Sequence, residues 1–188
     1  MNFSASTQLQ SVQTQSRALV RVMWISLFAL LTGVSAYIAI PLPFTPVPIT
    51  LQTLAVLASG IVLGRDGLYS QLLYLLLGGI GWPLFAGGTG HYLYLFSASG
   101  GYLIGFAAAS AVAGKWLYPA WSTLGFWGKT WRLGLVQAFI FVPGVLQLAL
   151  VMDISIGKAV LLGFAPFILG DTLKTFVAAS IPSRLIQK

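Results

Sequence analysis

Apolar residues run along this chain in six long stretches, broken by short segments where glycine, proline, aromatic and basic residues collect. Stretches of this length and apolarity predict membrane-spanning helices. The spans are expected at about 18–40, 50–64, 67–80, 98–118, 130–152 and 159–181. Before them, residues 1–16 are rich in Ser, Gln and Thr, carry no charged side chain and predict a loose tail. Arg17 and Arg21 then precede the first run. Val34-Ser35-Ala36 resembles a signal-peptide cleavage site, but the run is long for a signal segment and further spans follow, so an uncleaved helix is expected. Pro41-Leu42-Pro43-Phe44-Thr45-Pro46-Val47-Pro48 has four prolines in eight residues. Each removes a backbone donor and restricts its predecessor, which predicts a stiff extended or hairpin-like connection. Gly64-Arg65-Asp66-Gly67 predicts a tight charged turn. Residues 81–97 form a glycine- and aromatic-rich loop, and Pro143-Gly144 predicts a kink or break in the fifth span. Gly163-Phe164-Ala165-Pro166 reads as a helix restart, with Pro166 at the first position and residues 155–163 a short separate piece.

Composition sharpens the membrane reading. Of 188 residues, 57% are hydrophobic and 7% charged, against about 25% charged in a soluble domain. The mean hydropathy is +0.90. The net charge of +7 does not point to nucleic acid, because the basic residues fall between apolar runs rather than along one stripe. With the N-terminus inside, eight basic residues (Arg17, Arg21, Arg65, Lys115, Lys129, Arg132, Arg184 and Lys188) are cytoplasmic, and only Lys158 is outside. That bias predicts an all-α membrane protein, six transmembrane helices in one bundle over 17–188, with cytoplasmic N- and C-termini. Trp121, Phe126, Trp127, Lys129 and Arg132 form the aromatic and basic mixture suited to lipid headgroups. The absence of cysteine excludes disulfides and thiolate metal sites, and one histidine with three aspartates nearly excludes other metal centres.

The candidate chemistry starts from Asp171 and Lys174. They sit three apart within the last apolar run, so a helix projects them from one face. A charge at the bilayer centre costs about 2.5–3.5 kcal/mol on insertion scales, which makes such residues functional by default. If the helix restarts at Pro166, Asp171 lies about 8 Å into it, at 1.5 Å per residue, facing a pocket that opens outward. Thr50 and Gln52 offer polar contacts beneath a proline-rich lid. Trp82, Tyr92 and Tyr102 are candidate apolar walls, and backbone N–H groups around Gly88, or the His91 ring, are candidates for an anionic end of a ligand. Gly87-Gly88-Thr89-Gly90 superficially suggests a phosphate cradle, but no Gly-Lys-Ser/Thr follows and no P-loop exists in the chain. Ala29 and Gly33 form a small-xxx-small pair that lets another helix approach closely, inside the bundle or from a partner. The competing readings of the charged pair are a structural ion pair, a proton-coupled transporter, and an intramembrane enzyme. The last lacks a nucleophile–base set or a metal set.

Three stretches carry a family resemblance. They are Ile40-Pro41-Leu42-Pro43-Phe44-Thr45-Pro46-Val47-Pro48-Ile49-Thr50-Leu51-Gln52-Thr53-Leu54; Gly78-Gly79-Ile80-Gly81-Trp82-Pro83-Leu84-Phe85-Ala86 with Gly100-Gly101-Tyr102-Leu103-Ile104-Gly105-Phe106; and Phe167-Ile168-Leu169-Gly170-Asp171-Thr172-Leu173-Lys174. In order and spacing they resemble the BioY family, biotin-specific substrate-binding (S) components of energy-coupling factor (ECF) transporters. The resemblance implies a non-enzymatic, multi-pass plasma-membrane protein that needs no cofactor and takes biotin as its ligand. It implies that Asp171 and Lys174 hold the ureido ring; the backbone around Gly88, or His91, as read from the loop itself, would then be the candidate for the valerate carboxylate. It further implies docking on a T component through Ala29 and Gly33, and energy from separate ATPase subunits. Membrane lipid is the remaining expected partner.

Overall fold

α1 (Phe3–Ser35) is the longest helix, because nothing in its sequence interrupts it: the first glycine is Gly33 and the first proline follows at Pro41. The computed structural model describes residues 3–186. Helical backbone therefore extends through most of the polar leader, and Met1 and Asn2 lie outside the described residues. A two-stranded antiparallel hairpin follows, β1 (Ala39–Leu42) and β2 (Thr45–Thr50), pairing Ala39 with Thr50, Ile40 with Ile49 and Leu42 with Thr45. The ladder is irregular between Ile40 and Leu42, around Pro41, which has no N–H to donate. The stiff connection expected of the four prolines is thus a hairpin.

α2 (Gln52–Leu63), α3 (Asp66–Gly79), α4 (Gly100–Trp116), α5 (Phe126–Met152), α6 (Ile156–Gly163) and α7 (Ile168–Ala179) complete the helices. α6 and α7 are joined by a single tight turn at Ala165–Phe167 that contains Pro166. The restart expected there is present, and Asp171 falls in the first turn of α7. Of the kink or break expected at Pro143-Gly144, the break is absent: α5 continues through Pro143. Pro143 cannot donate to the Phe139 carbonyl one turn back. Gly105 of α4 brings its backbone against that oxygen, since a Cβ there would lie 2.6 Å from it. Close packing of α4 shelters the defect.

Three helical segments of the described residues are long and apolar enough to cross a membrane: Gln15–Ser35, Phe126–Met152 and Ile156–Ala179. α2, α3 and α4, with 12, 14 and 17 residues, reach about 18, 21 and 26 Å at 1.5 Å per residue, less than the roughly 30 Å of hydrocarbon. The hairpin and the 81–97 loop fill the space above them. Inside the bundle, Trp121, Tyr74 and Phe85 are fully buried. A polar knot joins α1 to α4: Gln71 Nε2 donates to Thr32 Oγ1 at 3.2 Å and Ser59 Oγ at 3.0 Å, and Ser59 meets Ser110 at 2.8 Å. At the end remote from the hairpin, Arg21 forms a two-pronged pair with Asp66 at 2.6 and 2.5 Å, and Trp121 Nε1 donates to the Ile181 carbonyl at 3.0 Å. The helix ends joined there also carry Arg65, Lys115, Lys129, Arg132 and Arg184.

Candidate ligand pocket

Asp171 and Lys174 do form a pair, with Nζ 2.9 Å from Oδ1, and both side chains are almost wholly buried. Their spacing on the first turns of α7 produces the contact. Thr53 at the start of α2 donates to the same Oδ1 at 2.6 Å. Lys174 also donates to the Thr50 carbonyl at 2.6 Å, which ties the end of β2 to α7. An ammonium has three donors, and two of these are used. Asp171 Oδ2 is buried and has no hydrogen-bond partner among the described residues. The pair therefore presents one vacant acceptor next to one vacant donor.

The backbone beneath Asp171 is fixed from α5. Gln137 Nε2 donates to the Asp171 carbonyl at 3.2 Å and to Thr175 Oγ1 at 2.8 Å, and Thr175 donates to that carbonyl at 2.7 Å. Gln52 is committed inward: its Nε2 donates to Tyr74 Oη at 2.6 Å and to the Thr32 carbonyl at 3.3 Å, while Oε1 accepts from Thr50 Oγ1 at 3.3 Å. It lines the cavity as a positioned wall.

That cavity, about 40 Å³, is bounded by the pair, by Thr50, Gln52 and Thr53, and by Tyr94, Tyr102, Phe106, Phe141 and Phe167. Tyr102 stacks on Phe167 with centroids 6.3 Å apart and meets Phe141 edge-on at 6.2 Å. Its hydroxyl donates to the Gly163 carbonyl at 2.8 Å, so only its ring faces the cavity. A second chamber of about 420 Å³ lies between the hairpin and the loop and shares Pro48, Ala86 and Tyr94 with the first. Burial raises the Tyr94 phenol above its ordinary value, so a neutral hydroxyl stands at the junction.

The structure thus brings together five of the residues singled out from sequence: Asp171, Lys174, Thr50, Gln52 and Tyr102. It leaves four out of the cavity lining. Trp82, His91 and Tyr92 are exposed on the loop, and Gly88 sits beside Tyr37. Gly87 and Gly88 adopt φ of +78° and +68°, and the turn closes with Phe85 N–H donating to the Thr89 carbonyl at 2.9 Å. These glycines serve the left-handed turn. Ala29 and Gly33, expected as a docking surface, face inward: Ala29 is fully buried, and a Cβ on Gly33 would lie 2.6 Å from Leu84 Cδ2. Their small size lets the 81–97 loop lie against α1. Thr53, Tyr94, Phe141 and Phe167 escaped the sequence reading. Of these only Thr53 left a signal, as the third polar residue in the short stretch Thr50–Thr53.

Comparison with known proteins agrees with this architecture. The family model described as "BioY family" matches residues 6–188. A protein of Pyrococcus horikoshii named "Probable biotin transporter BioY" is 35% identical over 165 residues, covering 87% of this chain and 94% of that one. A protein of Thermotoga maritima named "Biotin transporter BioY" is 38% identical over 160 residues, covering 85% and 91%. Among solved structures, the S-component for biotin from an ECF-type ABC transporter superposes with a TM-score of 0.82 at 24% identity, covering 90% of this chain and 92% of that one. That last likeness concerns the fold. By the extent of the family match and the identity of these relatives, the chain belongs to the BioY family.

Proposed function

We propose that this protein binds biotin from outside the cell and supports its uptake across the plasma membrane, as the S component of an ECF transporter. The observation that carries the reading is the buried Asp171–Lys174 pair, with Asp171 Oδ2 unpartnered and one Lys174 donor unused. An acceptor beside a donor matches a group that offers N–H and C=O on one edge, as a cyclic urea does. Asp171 Oδ2 accepts from a ureido N–H, and Lys174 Nζ donates to the ureido oxygen, both as charge-assisted bonds in a dry site. Tyr102, Phe141 and Phe167 surround the apolar part of the bicycle, and the valerate chain extends past Tyr94 into the outer chamber, beneath the loop that carries Gly88 and His91. The names of the relatives support biotin as the ligand.

The inner cavity, at about 40 Å³, is smaller than such a ligand, so binding requires the hairpin that ends at Thr50 to move away from α7. Lys174 couples that movement to the pair through its bond to the Thr50 carbonyl. Six passes with both termini cytoplasmic remain the topology that best fits the basic residues gathered at the far end of the bundle. Energy would come from separate T and ATPase subunits, since this chain has no P-loop.

The test is a calorimetric titration with biotin in detergent. Asp171→Asn turns one acceptor into a donor and unpairs Lys174. Loss of one partner of a buried charge pair costs about 2–5 kcal/mol, so affinity should fall at least about 30-fold while the protein stays folded. Unchanged affinity would remove the assignment.

A further inference from the structure

We propose that the end of the bundle remote from the hairpin carries a built site for one anionic phospholipid, at Arg132 between Trp116 and Trp131. Trp116 ends α4 and Trp131 lies in the second turn of α5. Their rings meet edge-on with centroids 5.8 Å apart. The Arg132 guanidinium stands 5.5 Å from one ring and 5.4 Å from the other, held by cation–π attraction. Its Nε is buried and has no hydrogen-bond partner among the described residues. No aspartate or glutamate side chain among the described residues neutralises it: Asp66 is taken by Arg21 and Asp171 by Lys174, and Asp153 caps α5 at the opposite end. Lys115, exposed in the last turn of α4, adds positive charge at the same end of the bundle. A fixed guanidinium with free donors suits the oxygens of a phosphodiester.

The occupant is a lipid rather than a free anion because of what continues from the cluster. On α5 the exposed residues Trp131, Leu135, Phe139, Val142 and Leu146 follow at intervals of three and four, so they form one apolar stripe leading away from Arg132. Head and stripe together match an amphiphile: a negative headgroup on Arg132 and Lys115, a tryptophan collar at the interface, and an acyl chain along α5. Basic recesses between helices on the cytoplasmic side suit such headgroups. The site is independent of what the pocket holds.

Native mass spectrometry of the detergent-purified chain tests it, with dioleoyl phosphatidylglycerol titrated against dioleoyl phosphatidylcholine. The unaltered protein should retain its first phosphatidylglycerol at least fivefold more tightly than phosphatidylcholine. Arg132→Gln should remove that preference without moving the thermal unfolding midpoint. If that variant does not fold, tryptophan quenching by brominated forms of the two lipids, in nanodiscs of the unaltered protein, supplies the same comparison. Equal retention or equal quenching by the two lipids overturns the proposal, as does a preference that survives Arg132→Gln. Inorganic phosphate should not compete, having no acyl chain, and full displacement of phosphatidylglycerol by it would assign a free-anion site instead.

Discussion

Asp171 is held by more than its charge partner. Thr53 and Lys174 both donate to Oδ1, at 2.6 and 2.9 Å, and this leaves Oδ2 without a partner among the described residues, as the atom proposed to meet the ligand. Thr53→Val keeps the shape of the side chain and removes one donor. A hydrogen bond to a charged group contributes about 1.5–3 kcal/mol, so biotin affinity should fall about tenfold or more, read by the same titration. An unchanged dissociation constant would show that Lys174 alone orients the carboxylate. Residues of this kind are hard to read in a sequence. Asp171 and Lys174 stand out because charges are costly in an apolar run, whereas a threonine at the start of a helix or a phenylalanine in a membrane segment is unremarkable in its own window. Tyr102 shows the limit from the other side: the sequence offers it as a wall, but its hydroxyl is spent on the Gly163 carbonyl, a long-range contact that only the fold creates. His91 and Tyr92 are chemically capable groups in a glycine- and aromatic-rich loop, but the fold leaves both exposed.

At the scale of elements, the contact between α4 and α5 decides where the aromatic walls stand. Gly101 and Gly105 let the two backbones approach: a Cβ on Gly101 would lie 2.2 Å from the Pro143 carbonyl oxygen, and one on Gly105 only 2.6 Å from that of Phe139. Gly101→Ala must therefore push the helices apart. Overpacking of this kind costs about 1–3 kcal/mol, and the thermal midpoint in detergent should drop by several degrees. Affinity should fall as well, since Tyr102 and Phe141 move with the helices. An unchanged midpoint would mean that the bundle absorbs the methyl group elsewhere. Most helix boundaries were legible from apolar run length, glycine turns and the Pro166 restart, because those signals act within a few residues. The unbroken α5 was not. A proline's effect depends on what shelters the carbonyl it orphans, and here that is a glycine from another helix. The inward turn of Ala29 and Gly33 has the same origin, since a small pair permits close approach but does not say which surface will approach.

The whole molecule is polarised along its long axis. One end holds the hairpin, the 81–97 loop, the two chambers, Asp153 and Lys158, while Arg21, Arg65, Lys115, Lys129, Arg132 and Arg184 gather at the other. The short α2, α3 and α4 follow from this division. A chamber for a polar ligand needs non-helical backbone at membrane depth, which is tolerated only where protein buries it or it lines a cavity, and shortened helices leave the room. The same polarity supports the proposed orientation, with the basic end cytoplasmic, because segments rich in Lys and Arg stay on that side. The sequence contains no cysteine, so single substitutions report the sidedness cleanly. Lys158→Cys and Arg184→Cys alter exposed positions at opposite ends. In intact cells a membrane-impermeant maleimide should label the first and spare the second, and lysis should make both reactive. The reverse pattern would put the pocket on the cytoplasmic side, and uptake from outside would then need a different entry route. Labelling of both in intact cells would mean an even number of passes between them, which the single rod Ile156–Ala179 gives only if it fails to span.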